Sequence, residues 1–217
     1  MNNNKIPSHV LLSTTITLLL LLSSATVDNV LDVDGNPLVP GIKYYILPAT
    51  QNYGGLSLKP RKNTNTCPFY VSFEKNKASL GHAVTFTPKN EQDSEITTSS
   101  PLQIISQADY GRCELTKWWR LVADSANDGS GRLLVVTGGP QSDWFRMRSA
   151  GNGVYKIVYC PDDSNSIGNL VKDDVVCADL GVFNKVDGDV EKWFLGMRSE
   201  KWVLLVKFKK VDEPQIL

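Results

Sequence analysis

Apolar residues along the chain fall into short runs, in many of which they alternate with polar residues. The runs are rich in aromatic and β-branched side chains, which favour β-strands over helices. Ten of them predict strands, at residues 44–47, 69–73, 84–86, 102–105, 118–122, 133–136, 144–147, 154–159, 180–183 and 202–208.

Turn-forming residues separate these runs, as at 34–36, 138–140 and 151–153, and 187–189 has the composition of a hairpin tip. A sustained helical stripe is missing from every 11-residue window, so the pattern predicts an all-β sandwich or barrel. Aromatic residues open several segments, at Tyr44, Trp118, Trp144 and Trp193. This recurrence is compatible with three four-stranded units that close a barrel and so remove exposed sheet edges.

The first 25 residues have the layout of a secretory signal peptide. Lys5 gives a weakly basic start, residues 10–22 are mostly apolar, and Ser23 and Ala25 are the small residues expected before a cleavage site. A membrane anchor is the competing interpretation, but a bilayer-spanning helix needs about 20 apolar residues. The sequence therefore predicts a signal peptide at 1–25, a single secreted domain at 26–217, and no membrane association after cleavage.

The charge of the mature chain is balanced. The whole sequence has 23 basic and 23 acidic residues, and Lys5 is the one charged residue that signal cleavage removes. A chain without a basic excess or a basic stripe is not expected to bind nucleic acid or an anionic membrane surface.

Four cysteines remain in the mature chain: Cys67, Cys113, Cys160 and Cys177. In an exported protein an even number predicts disulfides, and four cysteines allow three pairings. A zinc site is not expected, because its ligands usually include closely spaced cysteines, and the nearest pair here is 17 residues apart. We expect two disulfides and neither a metal nor another cofactor.

Catalytic chemistry is not expected. After cleavage His82 is the sole histidine, and its position just before a strand is more typical of a structural residue. The segment 32–36 resembles the start of a calcium-binding loop, but Lys43 stands where such a loop ends in a bidentate glutamate. A turn explains that segment better.

A longer motif begins at Val30 and combines Asp32, the Asp-Gly-Asn turn at 34–36 and Leu38 with the pair Tyr44 and Ile46. This arrangement resembles the N-terminal signature of the plant Kunitz-type (soybean trypsin inhibitor) family. Further matches occur along the chain, at 54–56, 67–68, 113–121, 144–145, 155–161, 177–182 and 203–208. The tract 113–139 resembles the miraculin-like members most.

The resemblance implies a β-trefoil, a pseudo-threefold barrel of twelve short strands. It also implies the pairings Cys67–Cys113 and Cys160–Cys177, and a plant protein found outside the cell (the apoplast) or in the vacuole. In inhibitory members of the family, a loop after the fourth strand is shaped like a protease substrate and enters the active site of the enzyme.

Residues 86–88 match the entry to that loop, so the resemblance assigns Pro88, Lys89, Asn90 and Glu91 to the inhibitory segment. The alignment places Asn90 at the specificity position, and a shift of one residue would place Lys89 there.

Two features argue against potent trypsin inhibition. The loop is acidic, with Glu91, Asp93 and Glu95. Pro40 stands where inhibitory members have an asparagine that braces the loop, and proline has no side-chain donor.

Two functions therefore remain. The first is a monomeric, non-enzymatic endopeptidase inhibitor that acts through residues 88–95. Its most suitable partner is a serine protease, with cysteine and aspartic proteases as alternatives. The second is a non-inhibitory protein of the same fold, with a storage, taste-modifying or small-ligand-binding role.

Overall fold

A computed structural model describes residues 28–50, 53–60, 68–98, 100–108, 117–123, 132–138, 142–161, 177–187, 190–197 and 202–212. The expected signal peptide, Cys67 and Cys113 lie outside these residues. Every regular element in the described ranges is a β-strand. The strands are β1 Tyr44–Pro48, β2 Leu56–Pro60, β3 Phe69–Phe73, β4 Ala83–Pro88, β5 Leu102–Ser106, β6 Trp119–Ala123, β7 Leu133–Thr137, β8 Phe145–Gly151, β9 Val154–Tyr159, β10 Ala178–Asp187, β11 Val190–Met197 and β12 Leu205–Lys210.

Six of these strands close into a barrel. β1 pairs with β4, β4 with β5, β5 with β8, β8 with β9, β9 with β12, and β12 returns to β1. All six pairings are antiparallel. The ring therefore has no open edge on which another chain could add a strand.

The other six strands form three hairpins that cap one end of the barrel. The hairpins are β2–β3, β6–β7 and β10–β11. Their second strands meet, because β3, β7 and β11 pair with one another in all three combinations. In the third hairpin Asp187 pairs with Val190, as expected for a hairpin tip at 187–189.

The chain thus repeats one unit three times, as β1–β4, β5–β8 and β9–β12. In each unit the first and fourth strands belong to the barrel and the middle two form a cap hairpin. The structure confirms the all-β, twelve-stranded β-trefoil that the sequence resemblance implies.

The outer edge of each cap hairpin is covered in the same way in all three units. The residues just before the fourth strand of the unit run along its second strand and bond to the backbone there. The bonds are from His82 N to Leu56 O at 2.8 Å, from Asp143 N to Trp119 O at 3.1 Å, and from Val182 N to Trp202 O at 2.9 Å.

The barrel interior is filled by side chains that alternate along its strands. Tyr44, Phe86, Phe145 and Phe208 are among the largest fully buried residues. The Phe86 and Phe208 rings meet edge to face, with centroids 5.6 Å apart. A smaller cluster of four buried residues, Tyr70, Leu134, Val136 and Phe194, packs separately within the cap. These aromatic residues therefore build the core.

Candidate functional site

The segment between β4 and β5 is the loop to which the sequence assigns inhibitory residues. Its base is fixed by the strand ladder: Pro88 is buried and pairs with Leu102. Lys89 extends the ladder by one bond, because its N–H donates to the Pro101 carbonyl at 2.8 Å. Beyond this point, residues 89–92 are exposed.

The exposed tip of the loop is a β-turn rather than an extended segment. The Asp93 N–H donates to the Asn90 carbonyl at 3.1 Å, so Glu91 and Gln92 occupy the two central positions of the turn. The side chain of Asn90 closes the same turn. Its amide donates to Asp93 Oδ1 at 2.6 Å, and its Oδ1 accepts the Gln92 N–H at 3.3 Å.

Asp93 also connects the tip to the end of the loop. Its Oδ2 accepts the Ser100 hydroxyl at 3.5 Å, and that hydroxyl lies 2.6 Å from Thr97 Oγ1. The acidic residues are therefore not simply a solvated charge run, since Asp93 has partners on both sides of the loop.

The second half of the loop is anchored to the N-terminal segment. Ile96 is fully buried. Its backbone forms a cycle of three hydrogen bonds with the backbones of Val30 and Leu38, which we call the three-way exchange. Ile96 N–H donates to Leu38 O, Leu38 N–H to Val30 O, and Val30 N–H to Ile96 O, each at 2.8 Å. Beside this exchange, the Asn29 side-chain amide donates to Glu95 Oε2 at 2.5 Å.

Pro40 lies in a turn that contacts the barrel rather than the loop tip. The following residue, Gly41, has a positive φ of 76° and donates its N–H to the Phe86 carbonyl at 3.1 Å. Among the described contacts, the loop is braced by Asn29 and by the backbone of Val30 and Leu38, which the sequence did not indicate for this role.

Lys89 connects the loop to a different part of the chain. Its ammonium group lies over the indole ring of Trp144, 5.3 Å from the ring centroid, which is within the range of a cation–π contact. Trp144 directly precedes β8, whose first residue Phe145 pairs with Leu102 at the start of β5. A hydrogen bond from Gln103 to Ser142 joins the same two segments.

His82 belongs to a polar network at the edge of the cap, at the start of β4, whereas the loop follows the end of that strand. Its Nδ1 lies 3.0 Å from the hydroxyl of the buried Ser57. Burial lowers the pKa of His82; the Glu74 carboxylate raises it and the Lys59 charge lowers it further. Lys59 in turn forms a 3.0 Å ion pair with Glu74.

The pKa of Glu74 responds to the same neighbours. Burial acts to raise this pKa, but hydrogen bonds from Ser57 and Lys59, together with the charges of Lys59 and His82, outweigh burial and lower it. The network ties β2, the end of β3 and the start of β4 together, so His82 has a structural role.

Of the four cysteines, Cys160 and Cys177 form a disulfide between the end of β9 and the start of β10, with Cα atoms 4.3 Å apart. This is one of the two pairings that the resemblance implies, and the other lies outside the described residues. Within the described residues, no three His, Cys, Asp or Glu side chains are grouped to hold a metal ion. The same residues include no helix long and apolar enough to cross a membrane.

Comparison with known proteins agrees with this architecture. A family model described as trypsin and protease inhibitor, of the legume Kunitz type, matches residues 30–210. Miraculin from Synsepalum dulcificum is 29% identical over 76% of this chain and 77% of its own length. Kunitz trypsin inhibitor 5 from Arabidopsis thaliana is 30% identical over 74% of this chain and 78% of its own.

Among solved structures, soybean trypsin inhibitor in complex with porcine pancreatic trypsin is similar to this chain, with a TM-score of 0.67 and 27% identity. The match covers 85% of this chain and 100% of the inhibitor. The extent of the family match, together with the twelve-stranded trefoil, shows that this chain belongs to the Kunitz-type family of trypsin and protease inhibitors.

Proposed function

We propose that this protein is a secreted endopeptidase inhibitor of the Kunitz type, and that it blocks a serine protease through the loop at residues 88–95. The observation that carries the proposal is the difference in burial between the tip of the loop and its two ends. Its tip, residues 89–92, is exposed, while both of its ends are fixed, at Pro88 by the β4–β5 ladder and at Ile96 by burial.

This arrangement suits an inhibitor because binding is opposed by the entropy lost on ordering a flexible segment. The bond from Lys89 N to Pro101 O and the three-way exchange at Ile96 restrict the loop before any partner arrives. Most of the entropy cost of ordering the two ends of the loop is then met during folding.

The sequence of the tip suggests which enzymes fit. A Lys89 side chain suits a specificity pocket that contains a carboxylate, as in trypsin, because the two charges pair when both lose water. Asn90 suits an enzyme that cleaves after asparagine. The relatives named as trypsin inhibitors, and the soybean inhibitor solved with trypsin, support a serine protease as the first partner to test.

The proposal includes the processing of the chain. Removal of residues 1–25 by signal peptidase would release a domain beginning at residue 26, with Cys67 paired to Cys113 in addition to the Cys160–Cys177 disulfide. We propose that this domain acts outside the cell or in the vacuole, as a monomer and without catalytic activity of its own.

An inhibition panel tests the proposal. Mature protein is assayed against trypsin, chymotrypsin, papain, an asparaginyl endopeptidase and pepsin. Lys89→Ala and Asn90→Ala are compared with Lys75→Ala and Asn76→Ala, which change the same Lys-Asn pair in the exposed β3–β4 loop. We expect inhibition of a serine protease that Lys89→Ala or Asn90→Ala weakens at least tenfold and that the control variants leave unchanged.

A non-inhibitory binding protein is the second candidate. It is favoured by the closed turn at the tip, in which the Asn90 side chain is bonded to Asp93 rather than extended from the loop. A relative named miraculin rather than inhibitor is consistent with it. Absence of inhibition across the panel at micromolar protein would select this candidate.

A further inference from the structure

The two residues that the family alignment offers for the specificity position are both bound to their own protein. Asn90 uses its amide group on Asp93 and its carbonyl oxygen on the Gln92 backbone. Lys89 directs its ammonium group over the face of the Trp144 ring. The first contact lies within the loop, and the second joins the loop to the residue before β8.

We propose that Asp93 and Trp144 are positioning residues that hold the loop in a closed, autoinhibited form. We call the pair of contacts, Asn90–Asp93 and Lys89–Trp144, the clasp. The inference rests on the proposed function, because it concerns how the same loop meets a protease. In the closed form neither Lys89 nor Asn90 is available to a specificity pocket, so a protease binds the fraction of molecules in which the clasp is open.

The backbone geometry supports this proposal. The Asp93 N to Asn90 O bond folds residues 90–93 back on themselves, with Glu91 at a central turn position. A segment that binds like a substrate must instead have an extended backbone, so that the peptide bond after the specificity residue is accessible to the protease. Opening therefore has to break the turn as well as the contacts of the Lys89 and Asn90 side chains.

Opening is confined to the tip. Pro88 is buried at one end and Ile96 at the other, and the N-terminal segment holds Ile96 by two backbone bonds. The conformational change therefore concerns about five residues, 89–93. Such a small rearrangement requires no disruption of the barrel, and a protease can select it from the native ensemble.

The strength of the contacts sets the expected size of the effect. When the binding-competent form is a minor fraction, the apparent dissociation constant is the intrinsic constant divided by that fraction. An exposed cation–π contact changes such an equilibrium by about 2- to 5-fold. An exposed hydrogen bond to a carboxylate has a comparable effect, so removal of both contacts should strengthen inhibition by about 5- to 20-fold.

The test compares wild-type mature protein with the double variant Asp93→Ala/Trp144→Leu. The control is Asp34→Ala/Trp202→Leu, which removes the same residue types from exposed positions outside the loop. Inhibition constants and association rates are measured on the protease panel. We expect a 5- to 20-fold lower inhibition constant and a faster association rate for the loop variant, with no change in the control.

A protease-free measurement separates the clasp from general loosening of the fold. In the wild type, the ring current of Trp144 should shift the Lys89 Hε resonances upfield, and the Asp93 amide should exchange slowly. Trp144→Leu should abolish the shift and Trp144→Phe should retain part of it, while Asp93→Ala should speed the exchange at residue 93.

The outcomes are distinguishable. Inhibition by the double variant alone, or stronger inhibition by it than by wild type, supports the clasp. Inhibition by wild type without any gain in the variant overturns the clasp and leaves the proposed function intact. Inhibition by neither protein overturns both, and an unshifted Lys89 resonance in the wild type overturns the clasp on its own.

Discussion

Gly196 of β11 lies so close to Leu133 of β7 that a Cβ atom on the glycine would be 2.4 Å from the Leu133 carbonyl oxygen. The same atom would be 2.9 Å from the ring of Phe183. Gly196 is the register partner of Leu134, and it lies where two cap hairpins meet. The third unit can therefore pack this closely against the second only because residue 196 has no side chain.

Gly196→Ala should destabilise the protein, because the β7 and β11 backbones must move apart and the Phe183 ring must also shift to admit the methyl group. Overpacking of this kind costs about 1–3 kcal/mol. Denaturant unfolding measures the loss, and amide exchange should show it concentrated in β7 and β11 rather than in the barrel strands. An unchanged unfolding midpoint would contradict the close approach.

The periodic pattern predicted ten of the twelve strands. It gave no range for β2 or β11, although the aromatic start at Trp193 lies in β11, and both omissions have physical reasons. β2 contains two leucines, a lysine and a terminal proline, a composition that weakens the strand signal. β11 includes Glu191, Lys192 and Gly196, which are poor strand formers. Both strands form because a neighbouring strand supplies their hydrogen bonds, which is tertiary information absent from local propensity.

The final predicted strand began too early. The apolar run 202–208 predicts one continuous strand, whereas β12 begins at Leu205. Residues 202–204 instead run along β10, where Leu204 N–H donates to the Leu180 carbonyl at 3.0 Å. A continuous apolar run cannot show that its first part pairs with one strand and its second part with another.

The candidate site was predictable in position but not in conformation. The resemblance located the loop at Pro88, and the asparagine at 90 is a residue that favours the first position of a β-turn. The contact between Lys89 and Trp144 joins residues that are far apart in sequence and are brought together by the pairing of β5 with β8. Such a contact depends on the closed barrel, so the sequence around either residue does not predict it.

Ile96→Ala should both destabilise the protein and loosen the candidate loop. The side chain is fully buried, and truncation of a buried isoleucine costs about 2–5 kcal/mol. Denaturant unfolding measures the stability, and amide exchange at residues 89–98 measures the loop. Ile42→Ala is the matched control, since Ile42 is 36% exposed and its truncation should have a small effect. Equal losses in the two variants would argue against Ile96 as the anchor.

Replacement of both Cys160 and Cys177 by serine should lower the free energy of unfolding by about 3 kcal/mol. The disulfide closes a loop with a sequence separation of 17 residues, and loops of this size restrict the unfolded chain by about that amount. Thermal and denaturant unfolding of the variant and of the oxidised wild type give the difference. Unfolding curves that coincide would show that the disulfide has no stabilising role.

His82 should make the stability of the protein dependent on pH in the weakly acidic range. Burial holds its pKa below the ordinary value of 6.5, so the unfolded chain takes up a proton at a higher pH than the folded protein does. The stability contributed by a neutral His82 is therefore complete above pH 6.5 and is lost as the pH falls towards the lowered folded pKa. His82→Asn removes this titration and keeps a side-chain amide that can bond to Ser57.

The measurement is denaturant unfolding of wild type and His82→Asn between pH 7.5 and 5.0. This range stays above 4.5, the ordinary pKa of Glu74, whose folded pKa is lower still, so Glu74 is mostly charged in both states and its titration contributes little to the difference. The stability of the wild type should fall relative to the variant as the pH decreases. Parallel curves would show that the His82 pKa is unchanged by folding, and a wild type that gains relative stability on acidification would show that the attraction of Glu74 outweighs burial.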